Sequence, residues 1–217
     1  TSGGTVVIAT DAGTLGATTD VGDGTYTAEL TSSTTAGTAT LSFTLDDAPA
    51  EATATVEFTA GPADLTTSTI EASPASITAD GTSTSTVTVR LLDAKGNPLT
   101  SSGGAVLIST DAGIVGATTD VGDGTYTAVL TSATTAGTAT LSFALDDVSA
   151  EATASVDFTA GAADLTASTI EASPTSITAD GASTSTVTVR LVDANGNPLT
   201  SSGGTVLVSS DLGTVGA

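Results

Sequence analysis

The chain repeats itself, and the length of the repeat limits what it can fold into. Residues 1–100 recur as residues 101–200 with roughly four positions in five identical, and a third copy opens at Ser201 and runs to Ala217. Whole phrases survive, such as Val-Gly-Asp-Gly-Thr-Tyr-Thr-Ala at 21–28 and again at 121–128. A hundred residues is far longer than a solenoid turn and enough to close a core of its own. The repeat is therefore a domain, used in tandem.

The period alone does not say where a domain begins. Gly-Pro-Ala-Asp-Leu at 61–65 follows an expected strand ending at Phe58 and reads as a linker, with its counterpart at 161–165. In that phase residues 1–61 are the C-terminal part of one domain, residues 62–161 are a complete domain, and residues 162–217 are the N-terminal part of a third. The two partial domains are either an excerpt of a longer array or halves that complete each other between chains by exchanging strands.

Inside the unit the apolar residues are mostly Val, Ile, Leu and Ala set between Thr and Ser, a composition that favours strands. Residues 83–92 alternate with period two, placing Val87, Val89 and Leu91 on one side and Thr86, Thr88 and Arg90 on the other. Further strands are expected at 69–73, 76–79, 104–109, 114–118, 125–130, 138–145 and 151–158, with Tyr126, Ala128, Leu130, Leu141, Phe143, Val156 and Phe158 inward. No segment carries a helical period. Short antiparallel strands separated by Gly and Asp turns predict an all-β chain of tandem immunoglobulin-like Greek-key β-sandwich domains.

The residues that are missing narrow the chemistry. With no His and no Cys, the chain cannot build an imidazole or thiolate metal site or a Ser-His-Asp nucleophile. Twenty-four acidic against three basic side chains give a formal charge of -21, which repels nucleic acid and anionic lipid and attracts cations. The longest apolar runs, such as residues 6–9, are far too short to span a membrane. No charged-then-apolar leader opens the sequence, so export is inferred and not read. Catalysis by paired carboxylates would need a cleft and aromatic sugar platforms, and Trp is absent. The sequence argues against an enzyme.

Two longer stretches carry a family resemblance. Leu-Thr-Thr-Ser-Thr-Ile-Glu-Ala-Ser-Pro-Ala-Ser-Ile-Thr-Ala-Asp-Gly at 65–81, followed by Ser-Thr-Val-Thr-Val-Arg-Leu-Leu-Asp-Ala-Lys-Gly-Asn-Pro at 85–98, resembles the bacterial immunoglobulin-like repeats of invasin and intimin type found in large surface adhesins. The resemblance implies structural extender repeats at the cell surface, outside the cell, that hold a binding tip away from an anchored base. Their partners are then adjacent copies of the same repeat. The alternative is a self-assembling extracellular filament or surface-layer subunit built by strand exchange between chains.

The carboxylates gather by topology. Strand order places Asp64, Asp93, Asp120, Asp123, Asp146 and Asp147 at the pole where the linker enters, opposite the pole of the preceding domain that carries Asp11. Like charges so close call for a counter-ion, and calcium suits carboxylate and carbonyl oxygens. Calcium at the junctions, held by these seven residues, is the expected cofactor. The competing reading makes each Asp a turn residue. Tyr26 and Tyr126 follow Asp-Gly turns and read as tyrosine corners, Arg90 and Arg190 as partners of a cross-strand carboxylate, and the Thr run at 82–88 as the solvent face of a strand.

Overall fold

The computed structural model describes residues 4–216. Residues 62–161 form a two-layer sandwich. Its strands are β1 (Thr69–Ser73), β2 (Ser76–Thr78), β3 (Thr84–Arg90), β4 (Val106–Thr110), β5 (Ile114–Val115), β6 (Thr119–Asp120), β7 (Thr125–Thr131), β8 (Gly137–Leu145), β9 (Val148–Ser149) and β10 (Ala154–Thr159). One sheet runs β2-β10-β8-β4, with β9 folded back on the end of β8. The other runs β5-β7-β3-β1, with β6 also on β7. All pairings are antiparallel except β2 with β10, which lie parallel from Ser76 opposite Asp157 to Thr78 opposite Thr159. The chain passes from one sheet to the other at Pro74, whose peptide bond with Ser73 is cis. This is the immunoglobulin-like sandwich, with the first strand split between the sheets.

The period-two pattern explains the core. Along β3, buried Ser85, Val87 and Val89 alternate with outward Thr84, Thr86, Thr88 and Arg90, because successive side chains point to opposite faces. β7 contributes Tyr126, Ala128 and Leu130, β8 contributes Ala139, Leu141, Phe143 and Leu145, and β10 contributes Val156 and Phe158. Burying each Leu, Ile, Val or Phe stabilises the sandwich by about 1.5–3 kcal/mol. The strands expected from the pattern are present within a few residues. Of the expected 114–118 strand only Ile114–Val115 is strand, with a second two-residue piece after it at Thr119–Asp120, and the β9 hairpin had no alternating pattern to announce it. Its turn, Asp146-Asp147, has φ of 47° and 66°, the left-handed pair of a type I′ turn whose twist matches the strands it joins.

Flanking segments repeat parts of this plan. Residues 4–61 hold the counterparts of β4 through β10, including Val6–Thr10 paired with Gly37–Leu45 and Gly37–Leu45 paired with Ala54–Phe58. Residues 162–216 hold a Thr169–Ser173 to Thr186–Arg190 pair in the register of β1 with β3. Asp64, Ser68 and Leu92 stitch the linker to the module it enters. Asp64 N–H donates to the Leu92 carbonyl at 2.7 Å, and Ser68, itself buried, donates to the Asp64 carbonyl and accepts from Leu92 N–H. The segment at 61–65 is thus part of the fold and not a free tether.

Candidate functional site at the module junctions

Each carboxylate singled out in the sequence has a definite place. Asp64 accepts from Thr66 N–H and hydroxyl, and its carboxyl is held below the ordinary value of 3.8 chiefly by the Thr66 side chain. Asp120 accepts from Gly122 N–H and the Ser102 hydroxyl, and Asp123 accepts from Thr125 N–H. Asp146 accepts from Ala105 N–H while it and exposed Asp147 form the β8–β9 turn. Asp11 accepts from Thr40 N–H, which lowers its carboxyl pKa. Asp64, Asp93, Asp120, Asp123, Asp146 and Asp147 do share one end of the module. Among the described residues, however, no three acidic side chains converge in a group able to hold a metal ion. Most are engaged as turn residues, bonding backbone two positions on.

Asp93 stands apart because it lies inside the junction. It is only 5% exposed. One oxygen accepts from Lys95 N–H at 2.8 Å and Asn97 N–H at 2.9 Å, the other from Gly61 N–H at 2.9 Å and Asn97 Nδ2 at 2.9 Å. An ionised carboxylate offers about four lone-pair sites, and this one meets four donors. The Asn97 side chain, and behind it the linker amide of Gly61, hold its pKa far below the ordinary range.

Asn97 reaches across. Its Nδ2 donates to the Thr34 carbonyl at 2.9 Å and its Oδ1 accepts from Ala36 N–H at 2.8 Å, both in the turn of the preceding segment. One side-chain amide therefore pairs with a backbone donor and a backbone acceptor at once. The arrangement recurs a hundred residues on. Asn197 donates to the Thr134 carbonyl at 2.9 Å and accepts from Ala136 N–H at 2.7 Å, and Asp193 accepts from Gly161, Asn195 and Asn197 N–H. There Asn195 adds a bond from Nδ2 to the Ala79 carbonyl at 3.1 Å. The Asn197 side chain is the main cause that lowers the Asp193 pKa to about 2.

The two asparagines were not among the residues singled out. The available signal was the phrase Asp-Ala-Xaa-Gly-Asn-Pro at 93–98 and 193–198, where position 95 is Lys in one copy and 195 is Asn in the other while Asn97 and Asn197 agree. Tyr126, by contrast, does what the sequence predicts. It is 2% exposed, donates to the Gly104 carbonyl at 2.7 Å and accepts from Gly103 N–H at 3.1 Å, pinning the chain that leads into β4. Arg90 stands opposite Thr69 and Thr125 in its sheet, so the residues across from it are threonines and not the expected carboxylate.

Comparison with known proteins places the fold. The family of invasin domain 3 matches three times in succession, over residues 1–61, 64–161 and 164–217. The chain belongs to that family. Among solved structures it is similar to invasin, a bacterial integrin-binding protein, at 31% identity and a TM-score of 0.57, covering 90% of this chain and 40% of that one. It is also similar to InvD of Yersinia pseudotuberculosis, at 26% identity, a TM-score of 0.57, and 92% and 62% coverage. A third relative is the Escherichia coli adhesin FdeC, at 28% identity, a TM-score of 0.58, and 90% and 63% coverage. The chain thus spans less than two thirds of the length of each. Invasin-family modules are adhesin-type immunoglobulin-like domains and not enzymes.

Proposed function

We propose that these modules are the extracellular extender of a bacterial adhesin, projecting a binding tip from the cell surface. The observation that carries this reading is the recurrence of one docking arrangement at both junctions: the same Asp and Asn grip the same turn of the segment before. Repeating one junction repeats one relative orientation, so contour length becomes reach. Family membership supports surface display and adhesion, since the similar solved proteins carry adhesin or integrin-binding names. The stiffness is assigned to these direct bonds: the four donors around Asp93 take up its own lone pairs, and calcium at the other carboxylates of this end is what a chelator tests.

The test is to display arrays lengthened by whole hundred-residue units on bacteria and to measure the height of an epitope placed beyond them. Height rising by an equal increment per unit supports the extender. Growth with only the square root of unit number, as for a flexible chain, defeats it. Chelator added to the same cells is expected to leave the height unchanged; a calcium-dependent collapse would return the junction to the cation.

A second reading has its own observation. Val56, Leu45 and Phe43 on the sheet of residues 4–61 are about 40% exposed, and residues 162–203 nearly copy residues 62–103, which cover the equivalent face in the central module. Strand exchange between chains would bury that face and give filaments. Mass that grows with concentration in sedimentation favours this reading; a constant monomer mass rejects it.

A further inference from the structure

The same side-chain amide recurs at both junctions, and at the second Asn195 adds one bond to the Ala79 carbonyl. We propose that Asn97 and Asn197 are the specificity-determining residues of module docking, and that what they recognise is the backbone, not the side chains, of the turn before the long strand of the preceding copy. Each Asn presents one donor and one acceptor to one carbonyl and one N–H two residues apart, which is the pairing a peptide group itself would make. The side chains of Thr34, Ala36, Thr134 and Ala136 make none of these bonds. The partner surface is therefore any copy whose turn holds that carbonyl and N–H at the same spacing, whatever side chains it bears.

Asp93 and Asp193 are positioning residues. Each accepts from the reading Asn Nδ2 at 2.9 Å and from the linker amide, Gly61 or Gly161, at 2.9 Å. The amide is thereby oriented with its oxygen toward the N–H of Ala36 or Ala136 and its nitrogen toward the carbonyl. The same carboxylate holds the chain that connects the two modules, so linker and reading group are fixed by one charge. Their burial, at 8% exposed or less for all four side chains, excludes water that would otherwise compete for these bonds. This inference deepens the extender reading and draws on it only for its biological purpose.

The test uses the whole chain and exploits its lack of Cys, which makes introduced thiols unique. Spin labels at Glu29→Cys and Val129→Cys straddle the first junction, and labels at Val129→Cys and Thr188→Cys the second; pulsed electron resonance reads the distance distribution. Asn97→Asp replaces the donor by an oxygen that faces the Thr34 carbonyl and the Asp93 carboxylate, with almost no change in shape. We expect loss of the narrow distance peak across the first junction in Asn97→Asp, a partial loss in Asn97→Ala, and an unchanged second junction in both. Asn197→Asp should do the converse. Thr34→Val and Ala36→Ser should leave the peak intact.

A narrow peak retained in Asn97→Asp overturns the proposal, as does broadening by Thr34→Val or Ala36→Ser equal to that of Asn97→Asp. Amide hydrogen exchange of β3 and β8 in the same variants separates docking from folding. Unchanged protection in them, with a lost distance peak, supports the assignment; protection lost along with the peak assigns Asn97 to the module's own stability and overturns it. These outcomes are independent of the surface-height experiment, which tests the extender with unaltered junctions.

Discussion

Phe143 and Phe43 hold the same place in the same repeat, yet one is 2% exposed and the other 39%. Val156 and Val56 differ likewise, 0% against 40%, although the strands carrying them pair in the same register in both copies. The difference lies in the opposing layer. In the central module β1 and β3 bring Ile70, Val87 and Val89 onto the inner face, whereas residues 4–61 hold only the counterparts of β4 to β10. Strand pairing is thus local to one stretch of chain, while burial belongs to two stretches a sheet apart. The junction behaves in the first way. Asp193 and Asn197 are as buried and as fully bonded as Asp93 and Asn97, although Ile170 and Val187 on the same segment are 63% and 42% exposed.

The sharpest way to break this comparison is to truncate both phenylalanines. Phe143→Ala should cost the central module about 3–5 kcal/mol, and Phe43→Ala should cost its segment about 1 kcal/mol or less because little is buried there. Hydrogen exchange on the amides of β8 and of Gly37–Leu45 reads each region separately. Equal losses would mean that the open sheet finds cover in solution.

The tyrosines give a smaller contrast. Tyr126→Phe removes a donor to Gly104 and an acceptor for Gly103 N–H, and should destabilise by about 1–2 kcal/mol. Tyr26→Phe loses a 3.2 Å bond to the Gly4 carbonyl and should cost about half as much. A urea titration followed by the same exchange experiment compares them.

Acid should act on the two junctions alike, because their polar groups are alike. Folding lowers the Asp93 and Asp193 pKa below the ordinary 3.8, so ionisation favours the folded junction. That contribution is complete above about pH 3.8 and is lost as pH falls through the folded value, about 2 for Asp193. The side-chain amide resonances of Asn97 and Asn197 should hold steady at pH 4 and shift together below it. A change in either between pH 5 and 7 would contradict the depressed carboxylates. At the small end, Arg90→Gln should alter stability by no more than about 0.5 kcal/mol, since the residues opposite it are Thr69 and Thr125.

How much of this was legible in the sequence divides along the same line. The inward sets Val87, Val89, Leu91 and Phe143, Val156, Phe158 follow from period two, because alternation is a property of each strand alone. Tyr126 was legible from its Asp-Gly turn. The gathering of Asp64, Asp93 and Asp146 at one end followed from strand order, but what each oxygen bonds did not. A carboxylate that bonds backbone in a turn and one that waits for a cation look the same as letters. Asn97 was hidden for a related reason: its partners are a carbonyl and an N–H, which every residue possesses, so no residue type in the preceding copy announces the contact.

The parallel pairing of β2 with β10 has a consequence for a chain under tension. β2 follows β1 along the chain that enters the module, β10 ends where the chain leaves it, and the two run in the same direction from Ser76–Asp157 to Thr78–Thr159. A pull on the two ends draws these strands lengthwise past one another. The ladder between them is loaded in shear, all its bonds sharing the load, where an antiparallel hairpin pulled at its open end would unzip one bond at a time. The same pull also loads the pairing of β1 with β3 over Thr69–Ser73, so under tension the lifetime of a module is set by the rate at which these short ladders slide.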